Sequence, residues 1–150
     1  MTRHKSLLPG AGSMLLLGLL LSALLVGSAA EAERKSPDLK GLWAGTRTSS
    51  RNGETDPMSL RIDRQRGRRL RGEVEMAPWQ AEVDGRLRPR RRFNLSGLIS
   101  QRRRIVGIEI VGEIDSDWAP NRAVGEYEIW DRIGRETRLL DEGTFRLNRR

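Results

Sequence analysis

Beyond residue 30 the groups that stand out for chemistry are carboxylates, arginines and tryptophans. The single histidine, His4, lies near the N-terminus, and there is no cysteine. Without His or Cys, Ser-His-Asp triads, thiol nucleophiles and the usual zinc sites are excluded from that part of the chain, and no metal site is expected. No phosphate-binding glycine loop is present, and no cofactor is expected. Carboxylate pairs such as Glu126 with Glu128, or Glu109 with Glu113, have the residue types for glycosidase-like acid and base work. Their spacing puts each pair on one face of a strand, opposite the apolar set, which is the solvent face. The expectation is therefore a protein that is not an enzyme.

The arginines gather at turns: Arg66-Gly67-Arg68, the run Arg90 to Arg92, and Arg102-Arg103-Arg104. Solvated charge is the ordinary role of such clusters, and contact with an anionic surface is the functional alternative. Nucleic acid would call for aromatics interleaved with the basic residues, and the chain has one Tyr and two Phe, so no nucleic-acid partner is expected. Trp79 falls in a turn and Trp130 on an outward register. Exposed aromatics are frequent anchors of binding sites, which makes Trp79, Trp130 and Arg102 to Arg104 the candidate ligand-binding residues. Trp43 reads as core.

The elements that must position these groups begin after an export signal. Arg3 and Lys5 form a positive n-region, Leu15 to Val26 an apolar stretch, and Ser28-Ala29-Ala30 a small-residue cleavage site. The competing reading keeps Leu7 to Val26 as a membrane anchor; with cleavage, no transmembrane segment remains. Residues 1–30 are thus expected as signal peptide, 31–40 as a charged, flexible arm, and 41–150 as one domain. An exported, cysteine-free domain of this size fits a periplasmic or secreted bacterial protein held together by burial and backbone pairing alone. The whole chain carries formal charge +8. Removing the two positive charges of Arg3 and Lys5 leaves +6, a balance that favours anionic partners at long range.

From residue 41 onward the pattern has period 2. Met58, Leu60 and Ile62 alternate with Ser59, Arg61 and Asp63. Similar runs follow at Leu70–Met76, Ala81–Leu87, Phe93–Ile99, Val106–Ile114 and Ala123–Ile129, the run through Ile114 being expected as a strand that is long or bulged at Gly107. A loop holding Asp131 and Gly134 leads to a last strand near Gly143–Leu147. No stretch shows a convincing helical period. Gly72, Gly85, Gly97, Gly112 and Gly125 recur near the middle of these runs, which fits the bends of a closed barrel better than a flat sheet. The fold class is all-β: an antiparallel up-and-down meander of about eight strands closing into a small barrel. Both termini belong at one end, and the Trp79 and Arg102 to Arg104 turns at the other.

Gly41-Leu42-Trp43 leading into such a meander resembles the G-x-W start of lipocalins and, in related form, of avidins, within the calycin group of ligand-binding barrels. The resemblance implies that Gly41, Trp43 and Gly45 close the barrel and that a basic residue of the last strands, Arg146 or Arg149, covers the Trp. The resemblance speaks to fold more than to function; the function expected first is non-catalytic binding, of a small apolar or amphipathic ligand inside the barrel or of an anionic envelope component at its rim. The alternative is a protein-binding envelope factor, an inhibitor or assembly subunit, with a solid β core and no pocket. A cavity of several hundred cubic ångströms would favour the first and a filled interior the second.

Overall fold

The computed structural model describes residues 36–101 and 104–150. The expected signal peptide and the first half of the expected arm lie outside them. Alternating apolar residues give eight strands in meander order: β1 (Gly41–Ser49), β2 (Thr55–Arg66), β3 (Arg69–Met76), β4 (Trp79–Leu87), β5 (Arg92–Gln101), β6 (Arg104–Ile114), β7 (Arg122–Ile133) and β8 (Glu136–Arg149). Every strand pairs antiparallel with its chain neighbour. β8 returns to β1, with Trp43 opposite Arg149 and Ser49 opposite Gly143, so the sheet closes into a barrel and leaves no edge to pair with another chain.

Period-2 alternation sends one set of side chains into the lumen. Val74, Val83, Val106, Ile108, Ile110, Ile129 and Leu147 have no solvent exposure at all. An eight-stranded barrel is just wide enough for side chains to fill, and this one is filled. The void in the core, bordered by Leu39, Trp43, Leu60, Phe93 and Ile114, measures about 10 Å³, room for about one water.

The end nearest Trp43 is sealed by the segment that enters it. Leu39 is buried, and its carbonyl accepts the Trp43 indole N–H at 2.9 Å. Gln65 holds the segment from the side, accepting the Leu39 N–H at 2.8 Å and donating to the Pro37 carbonyl at 2.7 Å. The last residues of the expected arm are therefore part of the closure. The guanidinium of Arg149 lies 5.6 Å from the centre of the Trp43 ring and donates to the carbonyls of Asp38 and Lys40. Arg149 thus fills the covering role, and Arg146 points outward into solvent. Gly41 takes φ +115°, a conformation that side chains disfavour. At Gly45 a Cβ would lie 2.0 Å from the Arg146 carbonyl oxygen, so only glycine allows β8 to come this close to β1.

Of the two forms expected for β6 it takes the long one, 11 residues running through Gly107 without a bulge, and the register shifts lie at Ile62/Arg64 and at Ile129/Trp130. One local expectation is corrected. Asp131 belongs to a strand, not a loop, because β7 extends to Ile133 and turns back through Gly134 directly into a long β8.

Candidate functional site

At the end opposite Trp43 the lumen turns polar. The inward register of β1 runs Trp43, Gly45, Arg47, Ser49, which carries a charged side chain into the barrel. Arg47 is 6% exposed. One terminal nitrogen donates to the Tyr127 hydroxyl at 2.9 Å and to Asp141; the other reaches Asp56 at 3.0 Å and the Ala77 carbonyl at 3.1 Å. Asp141 also accepts from the Ser49 hydroxyl at 2.6 Å and from the Tyr127 hydroxyl at 3.0 Å. Burial opposes ionisation of Asp141, yet hydrogen bonds from Ser49, Tyr127 and Arg47 hold its carboxyl below the ordinary value. Burial and the Asp141 carboxylate push the Tyr127 hydroxyl up. A carboxylate held low is a poor base for Ser49, and four of the five Arg47 donor directions are already taken. The arrangement has the chemistry of a brace.

A second polar cluster lies beside it. Asp131, with a side chain only 2% exposed, is paired with Arg104 at 2.9 Å and Arg138 at 3.2 Å. The Arg104 guanidinium lies 5.9 Å from the centre of the Trp79 ring. Two of the candidate residues, Trp79 and Arg104, therefore come together at the expected end. Arg102 and Arg103 lie outside the described residues. Trp79, Ile99 and Leu140 pack on the core here, each partly buried.

Trp130 is elsewhere, on the outer wall. Cross-strand pairing lines up Leu98, Gly107, Trp130 and Leu139 across β5 to β8. The indole lies over Gly107, where a Cβ would sit 2.1 Å from the ring; an aromatic covering a strand glycine restores the contact that glycine lacks. Leu98 at 65% and Leu139 at 39% exposure extend the row on both sides. The next row towards the Trp43 end brings Glu109, Glu128 and Glu142 directly opposite one another, with Glu126 on the same outer face. All four are exposed, and among the described residues none of them forms an ion pair. Like charges in directly opposed positions disfavour the sheet, so this file of glutamates runs against the fold's own interest, in a chain with an excess of arginine. Beside it an open groove of about 460 Å³ crosses β7, β8 and β1 between Thr46, Thr48, Thr144, Val124 and Arg146.

The sequence reading missed Arg47, Tyr127 and Asp141. The alternation of β1 marks Arg47 as inward, but its partners are 80 and 94 residues away and meet it only once the barrel closes. Among the described residues there is no group of acidic side chains able to hold a metal ion. No protein-family model, curated protein or solved structure gives a significant match to the chain. The eight-stranded antiparallel up-and-down barrel itself is consistent with a calycin-like fold.

Proposed function

We propose that this chain is an exported, non-catalytic binding protein that works from the outside of its barrel, holding a protein partner against the wall formed by β5 to β8. In this reading it is a calycin-type barrel whose lumen has been given over to structure. The observation that carries the reading is the filled interior: a void of about 10 Å³ compares with about 300 to 1,000 Å³ for a small-molecule site. A closed barrel has no edge for strand addition, which leaves walls and turns. The wall of β5 to β8 combines an apolar row anchored by Trp130 with a file of uncompensated glutamates, and so fits a partner segment that carries basic and apolar residues.

The test is site-specific photo-crosslinking in the cells that make the protein. A crosslinker at Leu98 or Leu139 should give one protein adduct that is weakened by E109K/E128K; a crosslinker at Glu73, on the opposite wall, should give none. Equal adducts from both walls, or no protein adduct from either, would overturn the reading.

A further inference from the structure

The end sealed by Trp43 carries a feature that neither the core nor the β5–β8 wall uses. Cross-strand pairing sets Arg66, Arg69 and Arg86 side by side on β2, β3 and β4. All three are exposed, and among the described residues none is in an ion pair. Next to them Arg90 and Arg91, in the β4–β5 turn, adopt φ 61° and 62°. That left-handed geometry is normally left to glycine or asparagine, yet here it presents two exposed cations in succession. Lined-up arginines repel one another, and none of the three is drawn into an ion pair among the described residues.

The β6–β7 loop at the same end bears Trp118, 92% exposed. The loop is firmly built. The Asp115 carboxylate accepts the backbone N–H groups of Asn121 and Arg122 at 3.0 and 3.1 Å, the Ser116 hydroxyl accepts that of Trp118 at 3.2 Å, and Pro120 is buried. A large indole is thus held out in water on a rigid loop, beside a basic surface. The elements that carry this surface also hold Asp38, Asp63, Asp84, Glu113, Asp115 and Asp117; the Asp115 carboxylate is engaged by its own loop, and its carbonyl accepts from Arg91 at 2.7 Å. Finally, Ser36, to which residues 1–35 are joined, enters the barrel at this end through Pro37 and Leu39, and the preceding sequence contains the apolar run Leu7 to Val26.

We propose that the arginine end docks on an anionic membrane surface, the arginines meeting lipid phosphates and Trp118 entering the headgroup layer. Basic residues near an anionic bilayer and tryptophan at its interface are the two groups that such a surface attracts. The proposal does not depend on the protein partner inferred above, because the residues involved are different.

The test uses the barrel 36–150, which forms a compact unit of its own with every strand paired to two neighbours. It is mixed with vesicles of phosphatidylcholine alone or with 30% phosphatidylglycerol as the probe. Binding to the anionic vesicles, weakened by salt and accompanied by a blue shift of tryptophan emission that W118F removes, is the expected result. R66E/R69E/R86E should lower partitioning about 100-fold or more, at roughly fivefold for each arginine lost. W118A, at a position that packs on nothing, should weaken binding without lowering the Tm, so the test survives if the triple variant misfolds. Equal binding to both vesicle types, binding unchanged by W118A, or retention by inorganic phosphate or an acidic peptide with vesicles left unbound would overturn the proposal.

Discussion

At the scale of single residues, Asp141 is the most consequential polar group in the barrel. It anchors Arg47, Tyr127 and Ser49 at once, so Asp141→Asn leaves a buried guanidinium without its closest counter-charge. Breaking such a pair should cost about 3 kcal/mol, read as a lower urea midpoint at pH 7. The pH dependence follows from the direction of the shifts. Asp141 has its folded value depressed below 3.8, so its contribution is full above that value and is lost as pH falls through the folded one. Acid unfolding of the native protein should therefore steepen below about pH 4, and D141N should flatten that limb. Tyr127 is raised above 10.0; its contribution is present below that value and lost as pH rises through the folded one. An acid limb unchanged in D141N would remove Asp141 from this role.

At the scale of elements, most strands were legible because their apolar residues alternate with polar ones, as along Leu70–Met76 and Ala81–Leu87, with turn-forming residues between them. Trp130 was legible as outward for the same reason. Its place on Gly107 was not, since that contact depends on the β6–β7 register and not on either strand alone. A Cβ at residue 107 would meet the indole at 2.1 Å, so Gly107→Ala should displace the ring, cost about 1 to 3 kcal/mol and red-shift the emission. The same limit hid the bulges, which arise where neighbouring strands differ in length and twist. It also hid the plug: residues 36–40 lack periodicity, yet Leu39 completes the core. Leu39→Ala should cost about 2 to 4 kcal/mol, whereas Lys40→Ala, on the solvent side of the same segment, should leave the Tm nearly unchanged.

At the scale of the whole molecule, the barrel is a solid body with differentiated surfaces. Its core is packed around a void of about 10 Å³, its far end is braced by Arg47 and Asp131, its β5–β8 wall is apolar and acidic, and its Trp43 end is basic with Trp118 exposed. Arginine clusters at turns could be read from the sequence, but their division between the two ends follows only from the meander. The measurement that tests the central claim most directly is native mass spectrometry of the protein purified from the cells that make it. An outside-working barrel predicts the bare chain and a complex with a protein subunit that E109K/E128K dissociates. A small molecule of several hundred daltons that stays bound in E109K/E128K and leaves only on unfolding would contradict it.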